Sequence, residues 1–203
     1  IVIIVPSLTI GGAESMVYQL ASELRKKELS LTVICIASKK NTYYEKELEK
    51  NNVNIIYLNN NSKSDFKTLM KIYIILNKIR PNIIHTHLHT CIYAIPWALT
   101  HRVKFFHTIH SEPKFEFSKR IRKIMKLMYK CNIIIPIAIS DIIKEKMKLE
   151  YKIPLNKIKT IYNPVDVDKF YLESKVSKDF IRFVSVGRLN ENKNQKMLIE
   201  AFY

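Results

Sequence analysis

The chain has 203 residues, 47 % of them apolar, which excludes a disordered segment and leaves room for a sizeable core. Lys plus Arg outnumber Asp plus Glu by 34 to 18, a net charge of +16 that favours an anionic partner such as nucleotide phosphate, nucleic acid or acidic lipid, although an AT-rich genome would enrich Lys, Ile and Asn equally well. Cys35, Cys91 and Cys131 are odd in number and widely spaced, as expected of buried free thiols in a reducing cytoplasm; no run reaches the roughly 18 apolar residues of a membrane span and no signal-peptide pattern is present.

Short β-branched runs recur along the chain. Ile1–Val5 predicts a first strand, followed by Pro6-Ser-Leu-Thr-Ile10, the pair Gly11-Gly12, and a helix to Lys27 with Met16, Val17, Leu20, Ala21 and Leu24 on one stripe. Further strands are expected at 31–36, 53–58, 82–85, 103–108 and 133–139. Ser64-Asp65 offers an N-cap to a helix whose apolar face is Leu69, Ile72, Tyr73 and Leu76, and Pro81 ends it. Lys119 to Lys130 predicts a helix with Ile121, Ile124, Met125 and Met128 on one side and six cations around them. It suits either an acidic membrane surface or an ordinary solvated basic face.

Each predicted strand is nearly continuous in hydrophobicity, as strands covered on both faces are, and strand alternates with helix at least six times. The expected fold is α/β: a Rossmann-like, doubly wound, mostly parallel sheet whose ligands gather at the carboxyl ends of the strands. Three segments are expected: a first domain over 1–162, a linker over 163–179 marked by Asn163-Pro164 and a polar run, and the first strand–helix unit of a second Rossmann-like domain over 180–203. The chain starts inside a strand and stops inside a helical pattern, so it reads as a piece of a longer protein.

Three groups of residues could carry chemistry. Gly11 and Gly12 open a helix where backbone N–H groups can meet a diphosphate or sugar closely, or they simply make a tight turn. All six histidines lie between His85 and His110. His85, His87 and His89 would share one face of an extended segment, which permits metal binding, but Glu112 is the only carboxylate close in sequence, and a hydrogen-bonding cleft lining fits better. His110 follows the 103–108 strand and is placed to donate to a sugar hydroxyl or a phosphate. In the third group, Arg188 and Lys193 follow the apolar run 180–186 and precede a helix, where two cations and the helix start together suit an anion. Nucleic-acid binding has the charge but no recognisable module or stacking motif.

Gly-Gly-Ala-Glu at 11–14, His-Thr-His at 85–87, Thr-Ile-His-Ser at 108–111, Ile-Ala-Ile-Ser at 137–140, Ile-Tyr-Asn-Pro-Val-Asp at 161–166 with Phe170, and Val-Gly-Arg-Leu at 186–189 with Lys193-Asn194 appear in order. Together they resemble the family 4 (group 1) retaining glycosyltransferases of the GT-B fold, over the whole chain. The resemblance implies two facing Rossmann-like domains, the first mainly for the acceptor and the second for a nucleotide sugar, most often a uridine diphosphate sugar. It further implies that Arg188 and Lys193 hold the donor diphosphate, that Gly11 and Gly12 approach it, and that His110 is the catalytic contact to the reacting sugar. Glu14, His87 and Ser140 would line the acceptor side of the cleft. No metal or other cofactor is expected, and transfer would retain configuration onto a glycan or lipid-linked acceptor of capsule or lipopolysaccharide synthesis, at the inner face of the plasma membrane. The family's later pair of glutamates has no counterpart here, since Glu200 is too early, so these 203 residues alone are expected not to catalyse transfer. Two other readings remain open, a metal-dependent hydrolase using His85, His87 and His89, and a non-catalytic binder of phosphorylated ligands.

Overall fold

The computed structural model describes residues 1–60, 66–167, 181, 183–187, 189 and 191–202. The chain divides into two compact units, Ile1–Val165 and Asp166–Tyr203.

In the first unit the strands are β1 (Val2–Val5), β2 (Thr32–Cys35), β3 (Asn54–Tyr57), β4 (Ile83–His87), β5 (Lys104–Ile109), β6 (Ile135–Ala138) and β7 (Lys159–Thr160). All pair in parallel, in the order β3-β2-β1-β4-β5-β6-β7. The helices are α1 (Gly12–Lys26), α2 (Tyr43–Lys50), α3 (Phe66–Ile79), α4 (Cys91–Thr100), α5 (Pro113–Glu116), α6 (Lys119–Lys130) and α7 (Asp141–Tyr151).

The hydrophobic runs are continuous because both faces of the sheet are covered. In β1, Ile3 and Val5 point into a core with Met16, Val17 and Ala21 of α1 and Leu48 of α2. Val2 and Ile4 point the other way, into a larger core with Ile72 and Leu76 of α3, Trp97 of α4, Met125 and Tyr129 of α6, and Met147 and Tyr151 of α7. Helix ends follow local chemistry. Thr42 and Glu45 form a capping box at the start of α2, and the Thr42 hydroxyl also donates to the Leu8 carbonyl at 2.6 Å, tying that helix to the loop after β1. Beyond α3, Arg80 takes a left-handed conformation (φ 48°) before Pro81, so the helix stops where the proline predicts.

The six expected strands are present, each one or two residues shorter or shifted at an end, and β7 is an addition that two residues of pairing with β6 create. The expected cap Ser64-Asp65 lies outside the described residues. In the second unit, residues 181 and 183–186 form no strand and are exposed, because a β-branched run becomes a strand only where a neighbour takes its backbone hydrogen bonds. The expected helix is α8 (Gln195–Glu200), and the Phe183 and Phe202 rings meet edge to face at 4.7 Å.

Candidate functional site

In the order 3-2-1-4-5-6-7 the chain winds outward from β1 in both directions, so the crossovers diverge between β1 and β4. In open parallel sheets that divergence opens a crevice at the carboxyl ends of the two strands. Here it is a narrow recess, too tight for a water molecule, lined by Val5, Pro6 and Ser7 after β1, Ala13, Glu14 and Val17 of α1, and His87 and Leu88 at the end of β4. Thr90, just beyond β4, ties the two strands together, its hydroxyl within reach of the carbonyls of Ile4 (3.0 Å) and His87 (2.8 Å). Leu88 has φ 56°, a left-handed conformation that a branched side chain adopts only at a cost of about 1–2 kcal/mol. The strain falls at the residue that turns the chain away from the recess.

Gly11 is the N-cap of α1 and Gly12 its first residue, so the free N–H groups of a 15-residue helix face this edge of the sheet. The backbone of Gly11 is extended (φ −175°) and asks for no glycine on that account. Its missing side chain matters because Glu14 folds back over it: a Cβ on Gly11 would lie 2.3 Å from Glu14 Oε2. Above Gly12 the space is open, with nothing within 4 Å of a built Cβ.

Histidines gather beside this recess in a pattern that strand register dictates. His85 and His87 alternate with Thr86 on β4, so their rings lie on one side of the sheet, 4.2 Å apart. His85 Nε2 meets the Thr108 hydroxyl of β5 at 2.8 Å, and His87 Nδ1 meets His110 Nε2 at 3.0 Å, one nitrogen of the latter pair donating to the other. His89, expected on the same face, sits instead in a short 3-10 turn (Leu88–Thr90) that begins where β4 ends, and its side chain is exposed. Among the described residues no three His, Cys, Asp or Glu side chains gather closely enough to hold a metal ion.

Burial governs the charge of this cluster. It drives the imidazole of His85 down to about 3, helped by His107 and His110. His110 falls to about 4, burial outweighing the opposite pull of Glu116. Burial also holds His87 well below the ordinary value, so near neutral pH these rings are uncharged and act as hydrogen-bond donors and acceptors. Two nitrogens in the cluster, His87 Nε2 and His110 Nδ1, are buried without a hydrogen-bond partner. Each such atom costs roughly 1–3 kcal/mol, a penalty a hydroxylated ligand would relieve.

A carboxylate missed by sequence spacing also belongs here. Glu116, at the end of α5, is buried; its Oε2 accepts the backbone N–H of His110 at 3.2 Å and its Oε1 lies 3.3 Å from Nε2 of the buried His107. Glu112, the carboxylate close in sequence, turns outward to Lys114 and Lys146. Pro113 is the discoverable signal: as the first residue of α5 it starts a single helical turn that brings position 116 back beneath position 110.

The remaining candidates are placed as follows. Ser140 follows β6 and caps α7, its hydroxyl accepting from the Ile143 N–H at 3.2 Å. Lys193 ends a 3-10 turn (Glu191–Lys193) just before α8, and its stem lies over Gly187, with Cγ 3.4 Å from where a Cβ would stand. Arg188 lies outside the described residues. On α6, Met125, Met128 and Tyr129 are buried, whereas Ile124 and Leu127 stand 48 % and 55 % exposed among the cations. Ile124, which the sequence pattern puts on one side with Met125 and Met128, thus differs from them in burial. Among the described residues no helix is long and apolar enough to cross a membrane.

A parallel Rossmann-like sheet with its recess at the switch point defines the class of doubly wound α/β proteins. Within that class the chain belongs to Glycosyltransferase Family 4, whose model matches residues 10–169. A glycosyltransferase structure from Rickettsia africae superposes with a TM-score of 0.65 and 26 % identity, covering 83 % of this chain and 44 % of that one. Anabaena HepE in complex with UDP and glucose gives 0.61 at 16 % identity, over 82 % of this chain and 45 % of its own, and its complex with UDP-glucose gives 0.60 at 15 %, over 82 % and 44 %. The chain spans under half the length of these proteins. A search of curated proteins finds no match.

Proposed function

We propose that this chain is the acceptor-side portion of an enzyme that transfers a sugar from a nucleotide-sugar donor, a uridine diphosphate sugar, to a glycan or lipid-linked acceptor, with retention, in bacterial surface polysaccharide synthesis. The observation that carries the proposal is the contact between His87 and His110 at the carboxyl edge of the sheet, beside the Gly11-Gly12 helix start and with buried nitrogens left unpaired. Family membership supplies the reaction class, and the UDP and UDP-glucose complexes of Anabaena HepE point to the donor.

Residues 1–162 form the acceptor domain, 163–179 the linker, and 180–203 begin the donor domain. His110, uncharged near neutral pH, hydrogen-bonds the reacting sugar without charging, and His87 orients it through their shared proton. Gly12 leaves room for the donor diphosphate above the first turn of α1, and Arg188 and Lys193 stabilise the departing nucleoside diphosphate as its charge grows, so the reaction needs no metal. Glu14 stands over Gly11 and swings aside for an anion. Ser140 borders the acceptor path from the third strand end. The exposed Ile124 and Leu127, set among lysines, rest on the acidic inner face of the plasma membrane where a lipid-linked acceptor is presented.

The test uses the full-length enzyme. Arg188→Ala and Lys193→Ala each weaken nucleoside diphosphate binding by about 10- to 100-fold, the worth of one charge-assisted hydrogen bond. His110→Ala abolishes most transfer while leaving nucleotide affinity within a few fold. Unchanged nucleotide affinity in both cation variants removes the donor-site assignment.

A further inference from the structure

We propose that Glu116 is a positioning residue for the transfer reaction, which holds the His110 segment through one backbone hydrogen bond while its other carboxylate oxygen is set against the buried ring of His107. The proposal rests on the assignment of His110 to the reacting sugar.

His107 ties Glu116 to the middle of the sheet. Its Nδ1 lies 2.9 Å from the Thr86 hydroxyl, which can donate to it, and 3.1 Å from the Thr86 carbonyl oxygen. With the Thr86 hydroxyl donating to Nδ1, the ring hydrogen on Nε2 faces Glu116 Oε1 at 3.3 Å, both side chains being buried, and the contact is attractive. The other carboxylate oxygen accepts the His110 N–H at 3.2 Å, and an anionic oxygen accepts it more strongly than a neutral one.

The geometry links that pair to the site in one step. His107 faces α5 from within β5, and Phe117, the residue after Glu116, packs its ring against the His107 imidazole at 5.6 Å. His110 is the first residue beyond β5, where sheet pairing no longer fixes the backbone. One carboxylate therefore joins the last paired part of the strand to the first free residue, and that residue's ring is the one in contact with His87. Removing the carboxylate frees the backbone that aims His110, and displacements of about 1 Å are enough to cost about 100-fold in rate.

Glu116→Gln keeps an acceptor for the His110 N–H and removes the charge, and Glu116→Ala removes both. In full-length protein labelled with 15N-histidine, the His107 ring is expected to carry a hydrogen on Nε2, the nitrogen that faces Glu116, in the wild type. Transfer kinetics are expected to show kcat lower by about 10-fold in Glu116→Gln and about 100-fold in Glu116→Ala, with the donor KM within twofold of wild type. A His107 Nε2 without a hydrogen in the wild type, or wild-type kcat in Glu116→Gln, overturns the proposal. If Glu116→Ala does not fold, Glu116→Gln alone decides it. If the wild type transfers no sugar, the assigned activity fails; a hydrogen on His107 Nε2 then leaves the contact with Glu116 standing and withdraws its role in transfer.

Discussion

Acidification should unfold this protein through its buried histidines before its carboxylates titrate. His85 and His110 are held at about 3 and about 4, against an ordinary value of 6.5, chiefly by burial. Their folded-state values are depressed, so between pH 6.5 and pH 4 the unfolded chain binds protons that the native chain refuses, and stability falls as pH falls. At pH 5 the difference is worth about 2 kcal/mol for each ring, about 4 kcal/mol together, and His87 acts in the same direction. That is a large share of the 5–15 kcal/mol typical of a domain. Urea unfolding followed by circular dichroism at pH 7, 6 and 5 measures it. His85→Phe, which keeps the ring but not the titration, should reduce the pH 7 to pH 5 loss by about 2 kcal/mol even if its stability at pH 7 is lower. Unfolding free energies that agree within about 1 kcal/mol at pH 7 and pH 5 would refute the claim that burial keeps these imidazoles neutral.

Gly12→Ala should raise thermal stability by about 0.5–1 kcal/mol, since the new Cβ meets nothing within 4 Å and the unfolded chain loses freedom, while weakening UDP binding by the full-length enzyme. Unchanged UDP affinity would argue against close approach of a diphosphate there. Thr42→Ala should cost about 1–2 kcal/mol in chemical denaturation, because it removes both the cap of α2 and the bond to Leu8. Ile124→Ser with Leu127→Ser should leave the unfolding midpoint nearly unchanged, both side chains being about half exposed, and should reduce cosedimentation with phosphatidylglycerol vesicles several-fold. Equal sedimentation of variant and wild type would return α6 to the class of ordinary basic surface helices.

The amino-acid sequence by itself determined the parallel α/β architecture, because runs such as Ile1–Val5, apolar at every position, are stable only between two helical layers. It also determined the placing of Gly11, His87, His110 and Ser140 at strand exits, since strand length and turn chemistry are local properties. The direction of the winding belongs to tertiary structure: nothing local tells β4 to pair with β1 and so to set His87 against the loop after Val5. The same holds for His89, which alternation put beside His87 until a left-handed residue at Leu88 ended the strand, and for 181 and 183–186, whose β-branched character finds no pairing partner among the described residues. Glu116 makes the point most sharply. Six residues separate it from His110, a spacing that belongs to neither helix nor strand, and only the folding of one helical turn under β5 makes the two neighbours.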